Sequence, residues 1–416
     1  MKKKYILLLS FTLIWSCLYS QNKANEYIIK DVNLIDGTGN DPQIKSVWIK
    51  DKSIFKISDF DLLVASDSIK IIEGAGKFLI PGLIDSHVHL LAGRTLEGET
   101  ELLQKMLKTG VTSVLDLAGD ARDFAYLSKQ QKRGSLEVPE LYFSALFTDI
   151  EWMKKDFRMV AFPDGKNGDL PFLQAVNKET EIKIAVAKAK GTGASVIKIY
   201  ANLSPEIIGE IASEAKKLGM MVWCHATQFP TTSEQLLGKD IDVFVHADLL
   251  AFKPNKDVPT DYHTWLQTYY NNDSTYQKLY DDLDIEDLLN KMKEEKIILD
   301  PTIINYPSEK VPLAVTIAKM AHEKGIKMTT GTDVPGHPTL REIYALVEKV
   351  GLTPIEAIMS SSKNGAEAIG ISNSHGTIEE GKMANMVLLN KNPLINIRNL
   401  ETIDSVILNG RQIGMD

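Results

Sequence analysis

Cysteine is nearly absent from the chain, which excludes a fold stabilised by several disulfide bonds. Only Cys17 and Cys224 occur among the 416 residues. Cys17 belongs to an N-terminal segment that we expect to be removed or lipidated, so Cys224 has no partner for an intramolecular disulfide. Cys224 precedes His225 on a predicted strand and therefore points the opposite way, and we interpret it as a small buried apolar side chain.

An excess of basic residues and low-complexity tracts are also missing. The chain has 47 Lys and Arg against 55 Asp and Glu, which gives a formal net charge of −8. Because a nucleic-acid-binding face needs clustered positive charge, we expect no nucleic acid among the partners. A hydrophobic content of 44% and a charged content of 25% are ordinary for a globular protein. The length allows one large barrel and a smaller module.

No apolar run in the sequence is long enough to cross a bilayer comfortably. The apolar stretch at residues 5–18 follows three lysines at positions 2–4. This arrangement predicts a secretory signal over residues 1–20. We therefore expect an exported bacterial protein that has no transmembrane span after processing.

Two processing routes remain open for this signal. Cleavage after Ser20 would leave Gln21 as the first residue of a periplasmic protein. Alternatively, the segment IWSC is similar to a bacterial lipobox, in which Cys17 would be lipidated and would anchor the protein to a membrane. Trp15 is unusual in a lipobox, and this favours simple cleavage.

Two strand-rich ends enclose a middle with a different pattern. Short apolar runs separated by Gly and Asp predict strands in residues 21–78 and 372–416, which we interpret as one small β-domain built from both ends. Residues 79–371 alternate apolar strands with amphipathic segments. Eight such units predict an α/β fold, the TIM barrel, whose strands are rich in Val, Ile and Leu because both faces are buried.

The barrel prediction fixes the expected elements and leaves two long connections between them. The predicted strands are residues 78–87, 111–117, 140–146, 195–200, 220–225, 242–246, 297–301 and 327–333. The predicted helices are residues 99–109, 179–190, 205–218, 285–295, 313–324, 340–350 and 353–369, the last with Thr353 as N-cap. The connections 147–172 and 253–284 are too long for simple loops, and we expect lids or substrate walls there in preference to surface excursions.

The most informative motif is PGLIDSHVH at residues 81–89, an apolar strand that ends in His-x-His. Alternate strand side chains point to the same face, so His87 and His89 are directed at one point, where two neutral imidazoles suit a transition metal. Four further candidate ligands follow, each near the end of its own predicted strand: Lys198, His225, His246 and Asp333. Barrels hold their chemistry at the carboxyl ends of the strands, so this series predicts a metallohydrolase.

Each of these residues also has a purely structural interpretation. His225 or His246 considered alone is more often a core histidine, and Asp333 in the segment GTD would serve as a helix cap. Lys198 is harder to explain in this way, because a lysine in an apolar strand is costly unless it is used or paired. The metal hypothesis therefore depends on the whole series and not on any one member.

With these motifs identified, the chain resembles the amidohydrolase superfamily, in particular its imidazolonepropionase-like proteins and metal-dependent Xaa-Pro dipeptidases and carboxypeptidases. The segments that carry the resemblance are PGLIDSHVHL, VIKIYA, VWCHAT, VFVHAD, TGTDVPG and GTIEEGKMANMVLLNKNPL. It implies a TIM barrel flanked by a small β-sandwich from both chain ends. One departure is the segment LYFSALFTDIEWMKKDF, which has no histidine where many relatives have Gly-Gly-His, so that substrate contact is absent or replaced.

The resemblance further implies two divalent metal ions, with zinc as the default and manganese, iron or cobalt allowed. His87 and His89 would hold the more buried metal. His225 and His246 would hold the second. Lys198 would bridge both as a carbamate, since an unmodified ammonium has no lone pair to donate.

Asp333 would contact the first metal and act as general base and then general acid, and Tyr200 would donate a hydrogen bond to the substrate carbonyl. We therefore expect an exported binuclear hydrolase that cleaves a C–N bond of a dipeptide or N-acyl amino acid by a metal-bridged hydroxide. Two alternatives stay open: the same site acting on a lactone or phosphoester, and a metal-loaded binding protein without turnover. Self-association into a homo-oligomer is also left open.

Overall fold

The computed structural model describes residues 25–62, 69–90, 95–155, 168–253, 258–270, 277–279, 281–305, 311–333 and 338–414. The expected signal, with Cys17, lies outside these residues, so export and its route stay predictions. Within the described parts of the chain, no helix combines the length and the apolar composition needed to cross a bilayer.

The described residues form strands at both ends of the chain and alternating strands and helices between them. The strands are β1 (Glu26–Leu34), β2 (Gln43–Lys50), β3 (Ser53–Ser58), β4 (Lys70–Glu73), β5 (Phe78–Pro81), β6 (Leu83–Val88), β7 (Val111–Asp116), β8 (Glu140–Asp149), β9 (Asp169–Leu170), β10 (Leu173–Val176), β11 (Val196–Ile199), β12 (Met221–His225), β13 (Val243–Val245), β14 (Ile298–Asp300), β15 (Met386–Leu389), β16 (Ile403–Leu408) and β17 (Arg411–Ile413). The helices are α1 (Leu96–Lys108), α2 (Ala121–Lys132), α3 (Ile150–Met153), α4 (Ile182–Gly191), α5 (Pro205–Lys217), α6 (Ser233–Leu236), α7 (Tyr262–Trp265), α8 (Glu286–Glu294), α9 (Val311–Glu323), α10 (Thr339–Ala345), α11 (Pro354–Ser360) and α12 (Lys363–Ala368).

Both ends of the chain build one sheet, as predicted. Its strands lie in the order β17-β16-β15-β5-β1-β2-β3, and β4 pairs with β1. The antiparallel pair of β15 with β5 joins the C-terminal strands to the N-terminal ones. Apolar side chains from both ends pack together on this sheet, among them Ile29, Val47, Leu79, Met386 and Ile407. Burial of this shared apolar surface holds the two ends together.

The middle of the chain forms the predicted parallel barrel. Strands β6, β7, β8, β11, β12, β13 and β14 pair in parallel in this order. The segment 327–333 closes the ring, since the Leu299 amide donates to the Lys327 carbonyl at 2.9 Å and the Ser86 amide donates to the Thr330 carbonyl at 2.9 Å. The fold class is therefore confirmed, with the eighth strand held by hydrogen bonds to both of its neighbours.

The predicted first strand, residues 78–87, is in fact two strands. Residues of β5 pair with β15 and β1 in the composite sheet, whereas β6 belongs to the barrel. Gly82 separates them, and a Cβ at this position would lie 2.2 Å from Oγ1 of Thr112. The continuous apolar run hides this junction, because both strands are buried and nothing in their composition tells them apart.

Each predicted helix is present, but the structure adds α2 and the single-turn helices α3, α6 and α7. The predicted helix 340–350 ends as α10 at Ala345 and continues as a π-helix, Leu346–Val350. Helix α2 is absent from the prediction; the Asp120 side chain caps it by accepting from the Arg122 amide at 2.8 Å. The predicted helix 353–369 begins with the expected capping box of Thr353 and Glu356 but divides into α11 and α12. At the division the Ser362 hydroxyl donates to the Ile358 carbonyl at 2.6 Å. Such bonds offer the backbone an alternative to helix continuation.

Candidate metal centre

His87, on β6, and His89, just after it, are directed at one point near the axis of the barrel. Their Nε2 atoms lie 3.3 Å apart. Oδ1 of Asp333 lies 2.9 Å from Nε2 of His87 and 3.0 Å from Nε2 of His89. The structure therefore brings together three of the residues that the sequence analysis selected, from the first and last strands of the barrel.

His246 joins this group from the carboxyl end of β13. One potential ligand atom each from His87, His246 and Asp333 lie within 4.8 Å of one another, in the described part of the chain. Imidazole nitrogens and a carboxylate oxygen at such short separations are a donor set that suits a divalent transition metal.

The backbone at two of these residues adopts a conformation that non-glycine residues rarely use. His246 has φ 68° and Asp333 has φ 60°, both in the left-handed region. Hydrogen bonds to neighbouring strands hold them there: the His246 amide donates to the Asp300 carbonyl at 3.0 Å, and the Asp333 amide donates to the His87 carbonyl at 2.8 Å. Strained residues of this kind cluster at functional sites, where the surrounding fold compensates the strain.

Lys198 and His225 lie on the paired strands β11 and β12, beside the compact group. Lys198 is completely buried. The ring of His225 is 4.9 Å from that of His246, between centroids. Nδ1 of His225 is buried and has no hydrogen-bond partner among the described residues, and a bound metal would satisfy it. Nδ1 of His225 is thus available to a second ion, whereas the compact donor group places His246 with His87 and Asp333.

Burial and neighbouring positive charge keep the imidazoles of His225 and His246 neutral. Burial, followed by the charge of Lys198, holds the pKa of His225 well below its ordinary value. Burial lowers the pKa of His246 to about 3, against an opposing effect of Asp333. A neutral imidazole has a free lone pair, which is the form that binds a metal.

The carboxylate at the centre of the group is held in its charged form. Burial alone would raise the pKa of Asp333, but the neighbouring His87 and His246 hold it well below its ordinary value. For His87 burial lowers the pKa, and the negative charge of Asp333 and the hydrogen bond with Asp300 raise it by more. Asp333 therefore presents an anionic oxygen in reach of two imidazoles, as a metal ligand or a proton acceptor requires.

Three residues that the sequence analysis missed orient the ligands. Oδ2 of Asp300 lies 2.6 Å from Nδ1 of His87, which leaves Nε2 to face Asp333. Oγ1 of Thr302 lies 2.9 Å from Nδ1 of His246. Nδ2 of Asn305 donates a hydrogen bond to Oδ2 of Asp333, so that Oδ1 faces the histidines. The aspartate that ends the apolar strand β14 is a signal for Asp300, but no pattern in the sequence marks the other two.

A cavity of about 220 Å³ opens beside the ligand group. Its lining consists of Tyr200, His246, Asp248, Leu249, Tyr262, Trp265, Leu266, Asn305 and Asp333. The Tyr200 ring lies 4.2 Å from that of His225 and 4.5 Å from that of Trp152, between centroids. Both long connections thus reach the site, the first through Trp152 and the second through Tyr262 and Trp265. Residues 156–167, 254–257, 271–276 and 280 of these connections lie outside the described residues. That the two connections form lids or substrate walls therefore stays a prediction.

Comparison with known proteins gives matches over nearly the whole chain. The model of the amidohydrolase family matches residues 78–413. The imidazolonepropionase of Christiangramia forsetii is 23% identical over 420 residues, with 92% of this chain and 97% of the relative covered. The 5'-deoxyadenosine deaminase of Methanococcus maripaludis is 24% identical over 436 residues, with 92% and 93% covered. A crystal structure of a Xaa-Pro dipeptidase with bound methionine has the same fold, with a TM-score of 0.72, 21% identity, and 93% and 99% of the two chains covered.

Replacing Asp300 by Asn should weaken metal binding without unfolding the barrel. An amide in place of the carboxylate weakens the bond that orients His87, and such changes cost about 10–100-fold in metal affinity. Competition between the protein and a chelator for Zn²⁺ measures this affinity. Asp284→Asn is the matched control, because Asp284 is an exposed partner of Lys253 and should leave the affinity unchanged. Equal affinities for both variants would contradict the role given to Asp300.

Proposed function

Because the chain belongs to the amidohydrolase family, we propose that it is an exported hydrolase that cleaves an amide or peptide bond of a dipeptide or an N-acyl amino acid. Members of this family are metal-dependent hydrolases acting on C–N bonds, and this chain is one of them. The observation that carries the finer proposal is the convergence of His87, His89, His246 and Asp333 beside a small cavity at the carboxyl ends of the barrel strands.

The proposed site uses two divalent ions, with zinc suggested by the imidazole and carboxylate donors. His87, His89 and Asp333 would hold one ion, and His225 and His246 would hold the other. Divalent ions in such a site lower the pKa of water toward neutrality and polarise the substrate carbonyl.

Lys198 is proposed to bridge the two ions as a carbamate. An ammonium group offers no lone pair, whereas a carbamate supplies two anionic oxygen atoms. The position of Lys198 supports this proposal, since it is completely buried and its charge acts directly on His225 and His246. A positive charge buried beside metal ligands would be costly, and carbamylation would replace it with an anion that bound cations neutralise.

The chain's own groups suit the proton transfers of amide hydrolysis. Asp333, held in its charged form, would accept a proton from the attacking water and return it to the leaving amine. Asn305 holds Oδ2 of this carboxylate, which keeps Oδ1 at the reaction centre. Tyr200 lines the cavity, and its hydroxyl would donate to the oxyanion that forms from the substrate carbonyl.

The size and the walls of the cavity support a small substrate. About 220 Å³ is less than the roughly 300–1,000 Å³ of pockets that hold drug-sized ligands. Tyr200, Tyr262 and Trp265 give it an aromatic wall, and Asp333 and Asn305 give it a polar one. A dipeptide with an apolar side chain matches this division. The relative of known structure called a Xaa-Pro dipeptidase, with bound methionine, points the same way.

The zinc-loaded protein should hydrolyse members of a library of dipeptides and N-acyl amino acids. Asp333→Asn should lower kcat/KM by about 10²–10⁴-fold, because it removes the proton acceptor. Release of free amine, followed by mass spectrometry, gives both the rate and the side-chain preference. Turnover of lactones or phosphoesters alone would contradict the proposed bond class, and no turnover with two bound metals would favour a binding protein.

Lys198→Ala should reduce the bound metal from two ions per chain to one or none. Millimolar formate or propionate should restore part of the binding, since a free carboxylate can replace the carbamate oxygens. Metal analysis of the dialysed protein measures the stoichiometry, and Lys45→Ala, which removes a lysine paired with Asp59 on the composite sheet, is the control. Two tightly bound metals and full activity in the Lys198 variant would show that the bridge is wrongly assigned.

Export is proposed from the basic and apolar segments of residues 1–20. Expression of the full chain in an export-competent bacterium, followed by intact mass measurement, should give a mature form that begins at Gln21. A lipidated form that begins at Cys17, and that Cys17→Ser abolishes, would establish the alternative route. An unprocessed chain in the cytosolic fraction would refute export.

A further inference from the structure

Helix α10 (Thr339–Ala345) provides two buried polar side chains below the site, although it supplies none of the metal ligands. The Thr339 hydroxyl donates to Oδ2 of Asp85 at 2.7 Å. Oδ1 of Asp85 accepts the amide of His87 at 3.3 Å and the amide of Thr332 at 3.2 Å. Through Asp85, this helix is thus connected to the backbone of the first and last barrel strands, next to two ligands.

The second polar side chain, Glu342, holds a different loop. Its Oε1 accepts the amide of Ile303 at 2.8 Å, and its Oε2 accepts the amide of Ile304 at 2.9 Å. Both oxygens of one carboxylate are therefore used on two successive amides of the 3-10 turn Ile303–Asn305. A paired contact of this kind fixes the position and the orientation of the turn.

The turn that Glu342 holds carries two of the residues that orient the metal ligands. Thr302, directly before it, contacts Nδ1 of His246, and Asn305, at its end, donates to Asp333. Thr302 has φ 49°, which is a true outlier for a β-branched residue and requires support from its surroundings. The two amides bound by Glu342 directly follow this strained residue and supply such support.

Burial of the Glu342 carboxyl group at this position costs free energy. It is completely buried, and burial raises its pKa to about 8 against the lowering effect of the Ile303 and Ile304 amides. Asp300 and Asp85, both completely buried as well, add like charge nearby. Satisfying two backbone amides does not by itself require a group that destabilises the fold in this way, since water or a neutral side chain can accept from them.

We propose that Glu342 is a positioning residue of the hydrolytic site, which fixes the turn Ile303–Asn305 so that Thr302 orients His246 and Asn305 orients Asp333. The expected effect of Glu342 on turnover rests on the proposed function, whereas its expected effect on metal binding does not. It touches neither substrate nor metal in this scheme, and it acts on the chemistry only through the turn.

Glu342→Gln tests the proposal with a nearly isosteric change. The amide group can accept from only one of the two backbone amides and turns its NH₂ toward the other, so the turn should shift. We expect kcat to fall by about 10–100-fold while KM changes by less than about threefold. The variant should also lose Zn²⁺ at a lower chelator concentration than the parent, because His246 is no longer oriented.

Glu356→Gln is the matched control. Glu356 also accepts a backbone amide, that of Thr353 at 2.8 Å, but it caps helix α11. The Glu356→Gln change should lower the melting temperature slightly and leave kcat and zinc retention at their parental values. A Glu342→Gln protein that keeps parental kcat and zinc retention would overturn the proposal, whatever its melting temperature.

A second variant keeps the test decisive if Glu342→Gln does not fold. Glu342→Asp retains the carboxyl group but is one methylene shorter, and we expect reduced kcat and weaker zinc retention from it too. Glu342→Asp should lower kcat by a smaller factor in the Asn305→Ala variant than in the parent protein, because both changes act through the same turn. Fully multiplicative effects, or parental values for Glu342→Asp, would refute the role. If the parent hydrolyses no substrate, the proposed function fails, and zinc retention alone still decides the role of Glu342.

Discussion

The main constraint on this structure is that several ionisable side chains lie inside the barrel, away from water, and need partners there. His87, Lys198 and Asp300 are completely buried. Removing such groups from water costs several kcal/mol each by order of magnitude, unless partners compensate for the loss. The chain from Asp300 through His87 to Asp333 gives each member an oppositely charged or hydrogen-bonding neighbour. The contacts within the site therefore offset part of the free-energy cost of burying these groups.

Closure of the barrel and assembly of the site are the same structural event. The segment 327–333 completes the ring, and its hydrogen bonds to β6 place Asp333 next to His87. Gly331 makes this approach sterically feasible, since a Cβ there would lie 2.4 Å from Cβ of His87 and 2.6 Å from Oδ1 of Asp300. A larger residue at position 331 would separate the last strand from the first. Gly331 therefore serves both the close packing of these strands and the approach of Asp333 to His87.

The parts of this molecule that the sequence reveals are those set by local periodicity. Apolar runs predict the barrel strands, and alternation of side chains brings His87 and His89 to one face. The residues that orient the ligands escape this reasoning, because their partners are distant in sequence: Asp300 and His87 are 213 positions apart. Thr302 carries no pattern at all, since its role follows from a strained backbone and a neighbour that only the folded chain supplies. Local patterns therefore predict the candidate ligands better than the groups that orient them.

The two sides of the cavity come from different parts of the chain. The polar side comes from the strand ends and the turn after β14, where hydrogen bonds and close packing leave little freedom. The aromatic side comes from Tyr262 and Trp265 of the second long connection, and from Tyr200, which directly follows β11 and packs against Trp152 of the first connection. Loop residues can change without disturbing the buried charges of the barrel. The chain has the fold of a Xaa-Pro dipeptidase at 21% sequence identity, which is expected where the fold is fixed by the barrel and the loops around the candidate site vary.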